Sequence, residues 1–322
     1  MTFARIAGIG SYLPEKVVTN RDLEKTMDTS DEWIRERTGI KRRHIAGDHE
    51  TTSSMGVEAA KRAMEMAGVG PDDIGLIVVG TTTPDKVFPA TACIIQRKLG
   101  VAGSPAFDVQ AVCSGFVYAL DVANRHIVTG GARHALVIGS ETLSRIVDWE
   151  DRGTAVLFGD GAGAVVLQAT DEPGILSTHI HADGQYEELL HIEQGISVGY
   201  DITRAGGAFI KMEGNAVFRR AVATFDSMAR ETIADLDGHL DDIDWFVPHQ
   251  ANMRIIKAAA KKLGMPMERV IATVDEHANT SGASIPLALD LAVRDGRIQR
   301  GQTLLLAAFG GGFTWGSAMI RF

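Results

Sequence analysis

The chain has 322 residues, 45% of them hydrophobic and 23% charged, enough for one large unit or two moderate halves with buried cores. Its net charge of −9 argues against general nucleic-acid binding, and no apolar run is long enough to span a bilayer. Only two cysteines, and a start without a basic segment or long apolar stretch, argue against a disulfide scaffold or an export signal and for a reducing cytoplasm.

Short β-branched runs alternate with longer helical patterns, the mark of an α/β layered fold. In chain order, residues 76–79 are the first apolar run without alternation, as expected of a strand covered on both faces. Phe116, Leu120, Ala123 and Ile127 then recur at helical spacing, with Gly130 and Gly131 as a stop. Residues 135–138 read as a second covered strand. Phe218, Val222, Phe225 and Ala229 mark another helix, and residues 303–306 a further strand.

The order contains an internal echo. Residues 72–79 resemble 241–247, and Cys113-Ser114-Gly115 resembles Thr280-Ser281-Gly282, each followed by Ala-Leu-Asp. The glycine-rich stretch after Phe158 resembles the one after Phe309. Three echoes in the same order point to two pseudo-repeats, 1–173 and 174–322, each with strand, nucleophile-type turn, helix and closing hairpin.

Cys113 sits where a strand pattern ends and the Phe116 helix begins. A thiol there faces unpaired N–H groups and the positive end of the helix dipole, which favour the nucleophilic thiolate. A small core cysteine fits the same position, and the turn alone does not separate the two. Cys93, inside an apolar helical run, reads as packing. His249 follows a strand stopped by Pro248, so its imidazole projects from a strand end, where functional groups and plain loop histidines both occur. Asn279 precedes the helical pattern Ile285, Leu289 and Ala292, a place for a turn former or a polar catalyst. Together the three compose a nucleophile with two neutral polar partners. Gly310, Gly311 and Gly312 offer a backbone N–H able to approach a carbonyl closely.

Two motifs are set aside. The loop after Gly159 looks like a dinucleotide fingerprint, but a strand follows it where a helix is needed. His179 and His181 share one strand face, but no third ligand follows at useful spacing, so no metal is expected. Arg254, Lys257 and Lys261, with Lys262 beside them, form a basic stripe on one predicted helix. Such a stripe is a solvated face or a docking surface for an acidic partner.

The chain closely resembles the β-ketoacyl-acyl-carrier-protein synthase III family of thiolase-fold condensing enzymes. The resemblance runs end to end. It rests on Gly8-Ile-Gly-Ser-Tyr-Leu-Pro, Thr29-Ser-Asp-Glu-Trp-Ile, Arg37-Thr-Gly-Ile, Cys113-Ser-Gly-Phe, Asp151-Arg-Gly-Thr and Phe158-Gly-Asp-Gly-Ala-Gly. Pro248-His-Gln-Ala-Asn, Asn279-Thr-Ser and Phe309-Gly-Gly-Gly-Phe-Thr-Trp-Gly-Ser complete the ordered set.

The resemblance implies a thiolase-like five-layer αβαβα fold from two duplicated halves, in a homodimer. It implies that Cys113 takes an acetyl group from acetyl-CoA, with its own N–H and that of Gly311 as the oxyanion hole. His249, neutral and protonated on Nε2, and Asn279 would hold the enolate left when malonyl-carrier protein loses carbon dioxide. Acetoacetyl-carrier protein would result, with no cofactor and no metal. In the family, Trp33 and Arg152 stack the adenine of CoA, while Thr29, Arg37, Gly214, Phe218 and Asn252 line the pantetheine path. Arg219 and Arg254 fall at carrier-docking positions, with Gln250, Lys257, Lys261 and Lys262 assigned to the same surface. Phe88 belongs to a loop that reaches the acyl pocket of the partner copy.

Ala278 stands where a glycine often precedes the catalytic Asn, Gly282 replaces a frequent alanine, and Arg219 a frequent lysine. A few extra residues fall around 192–203, which bears on primer choice rather than on the reaction class. The nearest alternative is a thiolase-fold acyltransferase that moves an acyl group without decarboxylation. A thiolase would want a second active cysteine, and elongating synthases a second histidine where Asn279 stands. A non-catalytic partner subunit would be expected to lack the nucleophile.

Overall fold

The computed structural model describes residues 1–193, 195–199, 201, 208–234 and 240–322. The extra residues expected around 192–203 therefore fall partly outside the described residues.

Strand β1 (Phe3–Tyr12) opens the chain, and β2 (Val17–Thr19) pairs with β3 (Arg42–His44) across helices α1 (Asn20–Leu23) and α2 (Asp31–Thr38). Helix α3 (Thr52–Ala67), strand β4 (Leu76–Gly80), helix α4 (Thr91–Leu99), strand β5 (Ala106–Val109) and helix α5 (Gly115–Val128) follow. Strand β6 (His134–Thr142), helix α6 (Arg152–Ala155) and strand β7 (Asp160–Thr170) complete this half. The first sheet runs β1-β7-β6-β4-β5, with β4 parallel to β5 and β6, and β7 antiparallel to its neighbours.

Strand β8 (Ile175–Ala182) begins the second half, and β9 (Leu190–His191) pairs with β10 (Lys211–Met212). Helix α7 (Gly214–Ala234), strand β11 (Trp245–Pro248), helices α8 (Met253–Leu263), α9 (Val274–His277) and α10 (Ser284–Arg294), and strands β12 (Thr303–Gly310) and β13 (Thr314–Arg321) follow. The second sheet runs β8-β13-β12-β11, the order of β1-β7-β6-β4, with β11 parallel to β12 as β4 is to β6.

Three apolar layers hold this together. Phe116, Leu120 and Ile127 of α5 and Ile285 and Leu289 of α10 are buried between the two sheets with Val78, Val137, Leu304 and Leu306. On the far side of the first sheet, α3 and α4 cover Ile77, Leu136 and Ile138. On the far side of the second, α7 and α8 cover Phe246, Leu305 and Met319. The result is five layers, helix, sheet, helix, sheet, helix. Every residue of β4 and β6 is buried, as their unbroken apolar runs require. Each fully buried aromatic such as Phe116 or Phe225 contributes about 2–3 kcal/mol from area removed from water.

Two glycines let the middle helices start against the first sheet. A Cβ at Gly80, the last residue of β4, would lie 2.6 Å from the Gly115 carbonyl carbon at the start of α5. One at Gly139 of β6 would lie 2.2 Å from the Gly282 oxygen, just before α10. Only a bare backbone permits either approach. Among the described residues no helix is long and apolar enough to cross a membrane.

Candidate active site

After β5 the chain passes through a one-turn 3-10 segment, Val112–Ser114, and enters α5. Val112 adopts φ +47, a left-handed conformation that costs a β-branched residue about 1–3 kcal/mol. This sharp turn places Cys113 just ahead of α5. The β12–β13 hairpin pins it on both sides: the Thr314 hydroxyl donates to the Ala111 carbonyl at 2.8 Å, and the Ser114 hydroxyl donates to the Thr314 carbonyl at 3.0 Å.

At this position burial acts against the helix end. Cys113 is buried, and burial pushes its thiol up to about 12, helped by the nearby Glu141 carboxylate and opposed by the Ser281 hydroxyl. The amino end of α5 opposes the rise by at most ~2 kcal/mol, or about one and a half pH units. Burial wins. In the closed site, burial favours the neutral thiol.

His249 is carried by the end of β11, where its N–H donates to the Ala307 carbonyl at 2.8 Å. Its imidazole is buried, which holds its pKa down to about 3, so the ring is neutral. Nδ1 lies 2.6 Å from the Ser284 hydroxyl, and that oxygen also accepts the Gln250 N–H at 3.3 Å. The Ser284 oxygen keeps a second lone pair, so its hydroxyl can pair with Nδ1 in either tautomer. Where the hydroxyl donates to Nδ1, the ring proton stands on Nε2, the tautomer expected of an enolate donor.

Asn279 is held in the backbone by two bonds, its N–H to the Leu157 carbonyl at 2.9 Å and its carbonyl accepting the Gly159 N–H at 3.0 Å. Its Oδ1 accepts the Ser281 N–H at 2.9 Å. That bond fixes the amide with its NH2 as the remaining donor. Asn279 is therefore both a turn former and a positioned donor, and neighbouring Ala278 and Ser281 take left-handed φ values of +59 and +49 to allow it.

Cys113, His249, Asn279 and Gly311 line one cavity of about 860 Å³. Gly310 packs so closely on the Cys113 turn that a Cβ there would meet the Cys113 N at 2.7 Å. Leu143, Leu157, Phe158, Leu190 and Ile210 form an apolar wall in the same cavity. Its mouth is polar and basic. Trp33, Arg37, Gly214, Phe218, Asn252 and Arg254 line it, with the Arg254 guanidinium 5.4 Å from the Phe218 ring. Asn252 caps α8 by accepting the Arg254 N–H at 2.8 Å and reaches back to the Arg37 carbonyl at 3.1 Å.

Several expected residues lie elsewhere. Thr29 is half-buried outside the lining, and Arg152 lies at the rim with its guanidinium 5.0 Å from the Trp33 ring centre. A base stacked between Trp33 and Arg152 has to part that pair. Arg219, Lys257, Lys261 and Lys262 are exposed on α7 and α8, beyond the cavity. Phe88 is 83% exposed and does not reach the cavity of its own chain.

Gln250 is corrected as a docking residue. It is 1% exposed, its amide donates to the Pro248 and Ile271 carbonyls at 2.7 and 3.0 Å, and its oxygen accepts the Thr273 and Val274 N–H groups at 2.7 and 3.2 Å. It ties the His249 turn to the segment before α9 and cannot touch a partner.

Sequence reasoning missed Ser284, whose hydroxyl lies against His249 Nδ1, and Glu141, buried near the thiol. Burial pushes the Glu141 carboxyl up to about 7 while Thr81, Thr82 and Thr83 donate to it. Ser284 stands five residues after Asn279, but nothing local marks its reach to β11. The loop after Gly159 runs straight into β7, as the following strand pattern foretold. The reading of His179 and His181 is corrected on one point: the fold supplies a third donor beside them, Glu231 of α7.

A family model described as 3-Oxoacyl-[acyl-carrier-protein (ACP)] synthase III matches residues 107–184, and one described as its C terminal matches residues 233–322. The chain is 63% identical over 322 residues to the Beta-ketoacyl-[acyl-carrier-protein] synthase III of Thioalkalivibrio sulfidiphilus, covering 100% of both chains. Among solved structures it superimposes on 3-oxoacyl-[acyl-carrier-protein] synthase III from Aquifex aeolicus with a TM-score of 0.94 at 46% identity, covering 99% of this chain and 100% of that one. The corresponding enzyme from Pseudomonas aeruginosa gives 0.93 at 40% identity, with 99% and 98% covered.

Proposed function

The chain belongs to the β-ketoacyl-[acyl-carrier-protein] synthase III family of thiolase-fold condensing enzymes, and from that premise we propose roles for the residues of its cavity. Its function is that of the family, an acyltransferase step of fatty-acid synthesis. The observation that carries the residue assignment is the meeting of Cys113, neutral His249, Asn279 and Gly311 in one cavity with an apolar end and a basic mouth.

Cys113 attacks the carbonyl of acetyl-CoA, and the thiol proton leaves with the CoA thiolate. The N–H groups of Cys113 and Gly311 hold the oxyanion, and the acetyl-thioester remains on the enzyme. Malonyl-carrier protein then enters by the same mouth. Its carboxylate leaves as carbon dioxide, and the bonding pair passes into an enolate whose oxygen accepts from His249 Nε2–H and the Asn279 amide. The enolate carbon attacks the acetyl-Cys carbonyl, a carbon–carbon bond forms, and the Cys113 thiolate departs and is reprotonated. No side chain has to remove a proton from carbon. A histidine neutral at working pH is the donor such a step needs, and no cofactor takes part.

The acidic carrier docks on the basic face of α7 and α8, where Arg219, Arg254, Lys257, Lys261 and Lys262 stand exposed around the mouth of an otherwise acidic chain. The working form is a cytoplasmic homodimer joined at the open edge of β5, where Phe107 is half-exposed, with Phe88 of each copy reaching toward the other's acyl wall.

Wild type supplied with acetyl-CoA and malonyl-carrier protein will release carbon dioxide in step with acetoacetyl-carrier protein. Arg254→Glu will raise the KM for malonyl-carrier protein about tenfold while Cys113 acetylation by acetyl-CoA changes less. Steady-state kinetics with each substrate varied in turn distinguishes the two. Equal losses toward both would remove α8 from carrier docking, and carbon dioxide release without a condensed product would contradict the reaction.

A further inference from the structure

On the surface formed by β8 and α7, outside the cavity, lies a second cluster of chemically active groups. Alternation along β8 puts His179 and His181 on one face, and α7 packs over that face with Glu231 turned toward them. His181 Nε2 lies 2.9 Å from one Glu231 carboxylate oxygen, and His179 Nδ1 lies 3.5 Å from the other. One ligand atom from each of the three residues falls within 4.8 Å of the other two.

We propose that His179, His181 and Glu231 form a binding site for a divalent transition-metal ion, of which zinc fits the donor set. Two imidazole nitrogens and one carboxylate are a recurring three-ligand set for zinc, with a fourth position left to water. Ligand atoms 2.0–2.1 Å from a tetrahedral ion stand about 3.4 Å apart. The 2.9 and 3.5 Å run to different Glu231 oxygens, and the three donor atoms lie within 4.8 Å of one another, so side-chain rotation draws them together around the ion. The His181 and Glu231 side chains are 38% and 40% exposed, which leaves room for the water and a path for the ion.

The three donors sit on elements already fixed to one another. His179 stands opposite Ser317 in the β13–β8 register, and His181 opposite Trp315. The His181 ring stacks on Trp315 with centroids 5.7 Å apart and planes 23° apart. The Tyr118 hydroxyl donates to the His181 carbonyl at 2.6 Å. Next to Glu231, the Thr232 and Ser317 hydroxyls hydrogen-bond at 2.6 Å, tying α7 to β13. A site held by strand and helix loses little order when an ion binds.

Calorimetric titration of tag-free protein with zinc tests this, run beside His181→Gln and Glu231→Gln. Each variant is first shown to be folded by normal acetylation of Cys113. The wild type will bind one equivalent per chain more than either variant. At a hundredfold excess over its Kd, zinc will raise the wild-type Tm by a few degrees and leave the variants unmoved at the same concentration. Equal stoichiometry in wild type and a folded variant would overturn the site. So would no saturable binding below about 0.1 mM, which would leave the cluster as a bare histidine–glutamate contact.

Discussion

Cys113→Ser will lose acetyl transfer from acetyl-CoA by at least about 10³-fold while the protein stays folded. The substitution exchanges sulfur for a smaller oxygen at a buried site, so packing is nearly conserved and the chemistry is what changes. Burial already makes the thiol reluctant to ionise, and a hydroxyl in the same place ionises far less readily still. The oxyanion donors remain, because they are backbone N–H groups of Cys113 and Gly311 that the substitution does not touch. Transfer of labelled acetyl to protein measures the effect. Retained transfer would place the nucleophile elsewhere, and partly exposed Cys93 on α4 would be the next group to replace.

His249→Ala and Asn279→Ala will separate the two half-reactions. Each variant will still take an acetyl group on Cys113, because the first step draws on the hairpin amides. Each will then discharge it onto malonyl-carrier protein about 10²–10³-fold more slowly, the usual cost of removing one donor from a developing oxyanion. The double variant will be little worse than the slower single one, since the two donors serve one oxygen. Single-turnover kinetics of acetyl gain and loss reads both steps. The wild-type discharge rate will show no histidine inflection between pH 8 and pH 5. Burial lowers the His249 pKa from 6.5 to about 3, so the imidazole gains its proton only well below that window. Normal discharge by either variant, or an inflection near pH 6.5 that vanishes in His249→Ala, would contradict the assignment.

What could be read from residues alone follows the range of the interactions concerned. The unbroken apolar runs became β4, β6 and β12 because a strand covered on both faces has no place for polar residues. The three echoes fall on like elements: 3-10 turns before β4 and β11, 3-10 turns before α5 and α10, and the strands β7 and β13. Pro248 does end β11, and the Arg254 stripe does lie on one helix. These are local properties of spacing and backbone chemistry.

The misreadings concern contacts between distant segments. Gln250 was assigned to the docking surface beside the basic residues of α8, but the backbone at 271–274 folds back to saturate it. The helix start left Cys113 open between an activated thiol and a packed one, and the hairpin at 310–314, which packs against that turn and buries the thiol, lies some 200 residues away. Glu231 escaped notice because 50 residues separate it from His181, and only the packing of α7 on β8 brings them together. Ser284 stands five residues after Asn279, but its partner ring sits 35 residues upstream.

The most direct test of the whole account is the intact mass of the protein after acetyl-CoA, followed by a second reading after malonyl-carrier protein. One acetyl group should be gained on Cys113 and then lost as acetoacetyl-carrier protein appears in equal amount. An acetyl group that malonyl-carrier protein cannot discharge would contradict decarboxylative condensation and mark the chain as an acyltransferase with another acceptor.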